Sequence, residues 1–299
     1  MLKNLIGALT SALLISPTPA AEALKVGFVY VSPIGQAGWT YQHDQARLAM
    51  SRTLGAKVQT RYVEAVPEGA DAERVMREMA ADGTTLIFAT SFGYLEPALR
   101  VAGDFKGVAF EHAGGYKIAP NLNTYNARFY EGRWLAGWLA GKASQAGVAG
   151  YVAGFPLPEV IQGINAFALG MRAANSNATV RVAWLGTWFD PPKEREAALA
   201  LIGGGADVLA NHSGSPAVPQ TAQERGVKVI GYQSDMSRFA PDAQLAAVTS
   251  DWSGYYTRVA QSVIAGTWQP QPMWGGMKDG MVRLSAVHGS VPAQVKREL

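Results

Sequence analysis

The chain of 299 residues contains no cysteine. Disulfides, thiolate metal ligands and lipid attachment through an N-terminal cysteine are thereby excluded. Histidine is scarce, and His43, His112, His212 and His288 show no H-x-x-x-H spacing, so no metal site is expected. Each reads as a surface or hydrogen-bonded histidine. There is no G-x-S-x-G elbow, because Gly214-Ser215-Pro216 breaks the pattern. The run Gly137 to Ser144 echoes a phosphate loop but is one residue short and has Ala143 where Ser or Thr is needed. No run of Lys or Arg occurs, and the basic and acidic totals are close, 26 against 23. Nucleic acid is therefore not an expected partner. No stretch reaches the ~18 apolar residues of a membrane span. Together these absences argue against a hydrolase, a metalloenzyme or a cofactor-dependent enzyme.

What is there describes an ordered globular protein, with 48% hydrophobic and 16% charged residues. The length exceeds the usual single core, so two lobes are expected. The first residues, Met1 to Ala23, combine a positive charge at Lys3, a short apolar run from Leu5 to Ile15, and small residues with prolines. They read as a cleaved signal peptide, with cleavage after Ala20 or Ala23. Export without a lipid anchor points to the periplasm.

From Val26 onward, strands and helices alternate, which predicts a parallel sheet built from βαβ units. Strands are expected at 26–31, 58–63, 85–89 and 107–110, with helices at 43–54, 68–81 and up to Ala102 between them. Near Leu122 to Arg128 the pattern breaks into a polar crossing segment, and a second αβ half follows. Its first helix, Glu131 to Ala143, carries Ala136, Gly137, Ala140 and Gly141, small enough for a neighbour to approach closely. Asp279-Gly280, followed by strand-like residues, predicts a hairpin.

Aromatic residues recur on the loops after strands: Trp39, Tyr41, Phe92, Tyr94, Trp188, Phe189, Tyr232 and Trp252. Loops ordinarily collect small polar residues. Rings concentrated there point to a flat ligand held by stacking, although Trp39 could equally plug the top of the core. Beside them stand Gln36, Asp44, Glu111, Asn211, Gln233, Asp235 and Asp251, able to supply the few directed hydrogen bonds that a small-molecule site needs.

Several segments carry a resemblance. They are Arg128-Phe129-Tyr130-Glu131 with Leu135 to Gly141, Gly186-Thr187-Trp188-Phe189-Asp190-Pro191, Gly205 to Leu209, and Gly226 to Gly231. With them the chain resembles the basic membrane protein family of substrate-binding proteins for ABC importers, whose best-known members bind purine nucleosides. The resemblance implies an α/β, type I periplasmic-binding-protein fold, two doubly wound parallel-sheet lobes joined by three crossings. The expected lobes are 24–125 with 250–272, and 126–249 with 273–299. It also implies a membrane permease as partner, a monomer, no cofactor, and closure of the lobes about hinges near 124–127, 249–251 and 271–274.

Carried over position by position, the family's stacking rings fall on Trp39 and Trp188, its acidic residue after the third strand on Glu96, and its second-lobe loop on Asn211 to Ser215. Gln233 stands where ribose-binding members have an Asp, and Ser250-Asp251 where they have a Lys. The ribose partners are thus missing. The expected ligand is a free purine base, adenine or hypoxanthine, between Trp39 and Trp188. Gln233, Asp251 and Asn211 would read its edge, with Phe92, Tyr94, Tyr41 and Glu96 as further candidates. The alternatives are a purine nucleoside-binding protein, a ligand sensor of the same fold, or a nucleoside hydrolase.

Overall fold

A computed structural model describes residues 22–299; the expected signal peptide falls almost wholly outside the described residues. The chain begins with β1 (Leu24–Val29), α1 (Trp39–Leu54), β2 (Val58–Val63), α2 (Ala70–Ala81), β3 (Leu86–Ala89), α3 (Leu95–Asp104), β4 (Ala109–Ala113) and β5 (Leu122–Ala127). It continues with α4 (Phe129–Ala143), β6 (Val148–Ala153), α5 (Pro158–Ala174), β7 (Thr179–Trp184), α6 (Pro191–Gly203), β8 (Val208–His212), α7 (Ala217–Arg225), β9 (Lys228–Gln233) and β10 (Gln244–Ser250). The last elements are α8 (Ser253–Ile264), β11 (Met273–Gly275), β12 (Val282–Leu284) and α9 (Ala293–Glu298).

The strands form two sheets, ordered β11-β5-β4-β3-β1-β2 and β12-β10-β9-β8-β6-β7. Among the described residues, every pairing between these strands is parallel except that of β12 with β10. The centre-to-edge contrast follows from burial. Leu86 to Ala89 of β3 are all buried, whereas the edge strand β2 is half-buried or exposed along its length. A strand covered on both faces must be apolar throughout. Helices cover both faces of each sheet. One continuous core runs through the inner faces of both lobes and between them, and separate clusters lie under α2 and α3 and under α6 and α7.

In the second lobe, α4 and α5 pack closely because of their glycines. A Cβ on Gly137 would stand 1.9 Å from the Phe167 carbonyl oxygen, and one on Gly170 equally close to that of Trp134. Larger residues at these positions would force the helices apart.

Three details differ from the sequence reading. The polar segment 122–128 is mostly strand: β5 pairs with β4 inside the first sheet, so its polar residues are paired rather than solvated. The expected boundary after residue 272 cuts off β11, which adds to β5 in the first lobe. The third crossing therefore lies between Gly275 and Val282. The expected hairpin at Asp279-Gly280 is not one, since β11 and β12 join different sheets and the turn between them carries the chain from lobe to lobe. Arg128 ties two crossings together: its N–H donates to the Gly275 carbonyl at 2.7 Å and its guanidinium reaches Asp279 at 3.1 Å.

Candidate functional site

The carboxyl ends of both sheets face each other, which is where open α/β sheets bind ligands. Between them lies a cavity of ≈ 560 Å³, including its mouth. The first lobe contributes Ser32, Trp39, Ser91 and Phe92, with the backbone at Ala113 and Gly114. The second contributes Glu159, Trp188, His212, Ser213, Tyr232 and Gln233.

Trp39 opens α1 directly after Gly38, whose φ of +93° favours a residue without a side chain. Its indole Nε1 donates to the Thr90 carbonyl at 2.6 Å, and its ring packs edge-on against Trp252, His43 and Phe129. Trp39 therefore serves both roles open to it from the sequence, cavity wall and cover of the core. Trp188 stands against Phe155, with ring centroids 4.9 Å apart. Its Nε1 crosses the cleft to Glu68 at 3.2 Å. Glu68 also accepts from Ser91 Oγ at 2.6 Å and from the Gly93 N–H at 2.9 Å.

The lobes touch. The Gly38 N–H donates to Ser234 Oγ at 2.8 Å, Gln42 Nε2 to the Ser250 carbonyl at 2.5 Å, and the Arg238 guanidinium to the Gln36 carbonyl. A Cβ on Gly38 would lie 2.1 Å from the Gly214 carbonyl oxygen of the other lobe.

Gln233 ends β9 in the left-handed region, φ +66°, an uncommon conformation for a residue with a side chain. Its Oε1 accepts from Ser250 Oγ at 2.6 Å, while its buried Nε2 has no partner among the described residues. Below it, Arg133 is fully buried, with its guanidinium 3.6 Å from the centre of the Tyr232 ring and Nη2 donating to the Asn211 carbonyl at 2.7 Å. Burial holds the His212 imidazole well below its ordinary pKa, and the charge of Arg133 adds to the effect. Burial also raises the pKa of Glu159, against an opposing hydrogen bond from Asn126 Nδ2 at 2.5 Å.

Of the residues singled out from the sequence, Trp39, Trp188, Phe92 and Gln233 line the cavity. Asn211 lies buried beneath it, its amide turned to Ser213 at 3.3 Å. Tyr41, two residues into α1 from Trp39, does not line it. Tyr94 is a core residue whose hydroxyl donates to the Val66 carbonyl at 2.6 Å. Glu96 is exposed and pairs with Lys117 at 2.5 Å. Asp251 accepts from the Ser253 N–H at 2.9 Å at the start of α8 and faces Arg283 at 3.4 Å. Helix starts and surface ion pairs account for these two carboxylates, so neither reaches the cleft.

The sequence reading passed over Ser91 and Glu159, took Ser32 only as a replacement for an acidic residue of the family, and read His212 as a surface or hydrogen-bonded histidine within the loop Asn211 to Ser215. Ser32, Ser91 and His212 lie at or just beyond strand ends, a position rule that could have found them. Glu159 gave no such signal, since an acid in a helix's first turn is ordinary. Among the described residues, no cluster of three or more His, Asp or Glu could hold a metal, and no helix is long and apolar enough to cross a membrane.

Comparison with known proteins agrees with this geometry. Residues 23–298 match the family model described as ABC transporter substrate-binding protein, PnrA-like. The chain is 51% identical to a purine-binding protein of Brucella abortus (strain 2308) over 93% of its length and 79% of that protein's. It is 41% identical to a candidate ABC transporter glucose-binding protein of Haloferax volcanii, over 93% and 71%. Among solved structures, an ABC transporter solute-binding protein from Conexibacter woesei superposes with a TM-score of 0.74 at 23% identity, covering 92% and 93% of the two chains.

Proposed function

The chain belongs to the PnrA-like family of ABC transporter substrate-binding proteins, and from that premise we propose that it captures a free purine base outside the cytoplasm and delivers it to a membrane permease. The observation that carries this reading is the cavity walled by one tryptophan from each lobe, Trp39 and Trp188. A planar heterocycle can stack on such rings, at ~1–3 kcal/mol per base in nucleic-acid binders. The relative named as purine-binding supports the same ligand class.

Sugar recognition has less to work with. Among the described residues the cavity lining carries a single carboxylate, Glu159, and Asp251 is engaged elsewhere. A ribose or hexose needs several polar side chains pairing with its hydroxyls, and the cavity-lining serines are already bonded within the protein. The single strained amide of Gln233 offers a donor suited to a ring nitrogen or exocyclic oxygen.

Closure is the mechanism. Ligand settles on one lobe and the other swings over it about the three crossings; only a ligand touching both lobes favours the closed form. Isothermal titration with adenine, hypoxanthine, adenosine, inosine and glucose tests the reading. Bases should bind tightest. Tighter binding of the nucleosides, or of glucose, would overturn it.

A further inference from the structure

Glu159 is the one carboxylate among the described residues that line the cavity, and its setting is unusual. It is the second residue of α5, and no Lys or Arg pairs with it among the described residues. It shares the cavity lining with Trp188 and Tyr232, and a Cβ on Gly114 of the other lobe would lie 3.8 Å from its Oε2. Asn126 fixes its orientation. The Ala127 N–H donates to Asn126 Oδ1 at 2.8 Å, so the amide group of Asn126 points at Oε2, 2.5 Å away. Oε1 carries no hydrogen bond among the described residues, and Oε2 keeps a second lone pair beside its bond from Asn126.

A buried carboxylate with no cation beside it is costly to keep charged. Resting on the purine reading above, we infer that Glu159 is the specificity-determining residue and acts as an uncharged carboxylic acid, donating from Oε1 and accepting at Oε2. Such a group pairs with a heterocycle edge that sets an N–H donor beside an acceptor, as adenine does with its amino group and ring nitrogen. An ionised carboxylate would have only acceptors to offer and would repel that ring nitrogen.

The surroundings make the inference testable by pH. Burial raises the pKa of Glu159. On β4, His112 is pushed down to about 4; on β8, His212 lies well below its ordinary value; on β9, the Tyr232 hydroxyl is pushed up; the guanidinium of Arg133 on α4 lies against the Tyr232 ring. Two more distant carboxyls are also raised by burial: Glu194, which reaches the cavity only through Ser213, and Glu111, to about 7, which is bonded to Tyr255 and Trp268 away from it. Comparison with a Glu159 variant separates them from Glu159 itself.

Adenine binding should be titrated from pH 5.5 to 8.5 in the wild type, Glu159→Gln and Glu159→Ala. Glutamine offers a donor and an acceptor at every pH. Wild-type affinity should fall as the pH rises, because loss of the carboxyl proton removes the donor. Glu159→Gln should bind within about threefold of the wild type at pH 5.5 and hold that affinity to pH 8.5. Glu159→Ala should lose about tenfold or more at pH 5.5. The inference is overturned if Glu159→Gln binds as poorly as Glu159→Ala, if its pH profile follows that of the wild type, or if the wild-type profile is flat. Should the wild type bind no purine at any pH, the functional reading fails first and this inference with it. Circular dichroism of each variant separates lost binding from lost folding.

Discussion

The two walls of the cavity are built differently. On the first lobe the polar side chains are spoken for: Ser32 bonds Thr40, Ser91 bonds Glu68, and the indole of Trp39 bonds Thr90. On the second lobe, Gln233 Nε2, His212 Nδ1 and the Tyr232 hydroxyl are buried with no partner among the described residues. Buried polar atoms left unpaired cost about 1–3 kcal/mol each. The first wall is thus a finished platform, and the second keeps groups that a ligand or water can complete. Two-lobed binders gain from this asymmetry, because the ligand adds most to the lobe that arrives last.

The contact between the walls is the place to break the comparison hardest. Gly38→Val would put a branched side chain against the Gly214 carbonyl and hold the lobes apart. Base affinity should fall about 100-fold or more, a loss of ~3 kcal/mol, and the radius of gyration from small-angle scattering should no longer shrink on adding adenine. Normal closure in this variant would mean that the touching backbones are not the closed state's limit.

Next come the two rings. Trp39→Ala and Trp188→Ala should each weaken base binding by ~1–3 kcal/mol. They should differ in stability. Trp39 is packed among Trp252, His43 and Phe129, so its loss should lower the melting temperature more than that of Trp188. Equal melting temperatures would refute the view that the first wall doubles as core.

Gln233→Gly probes the strain in the second wall. Glycine accepts φ near +66° without a steric cost and removes the unpaired Nε2. Relief of the backbone and loss of the acceptor for the buried Ser250 hydroxyl oppose each other, so stability in urea should change by less than about 1 kcal/mol, while base affinity falls about tenfold by titration. A larger change in stability, or unchanged binding, would contradict this.

The smallest effect belongs to the rim. Glu68→Gln weakens the bond from Trp188 Nε1 but leaves the cavity lining intact. Glu68 is exposed, so only ~0.5–1 kcal/mol is expected, a few-fold loss that should appear in the dissociation rate measured by stopped flow.

The α/β alternation, the two lobes and the rings Trp39 and Trp188 were legible in the sequence because they depend on local pattern. The period of apolar residues marks strands and helices, and a tryptophan just after a strand stands out against polar loops. The polar stretch of β5 misled for the same reason: pattern sees polarity but not the neighbour that satisfies it, here β4. Asp251 and Glu96 were read as ligand-binding carboxylates, yet each has an ordinary local partner that sequence distance conceals.

By itself, then, the sequence determined the elements, their order and the chemistry available at the strand ends, since these follow from the spacing of side chains along one chain. Only the tertiary structure decided which polar groups share the cavity: the third crossing's place after Gly275, the entry of Glu159 beside Asn126, and the exclusion of Tyr94, Glu96 and Asp251. Those outcomes depend on how the two sheets meet. The contacts involved, such as that of Gly38 with Ser234, join residues 196 positions apart, a distance at which local pattern carries no information.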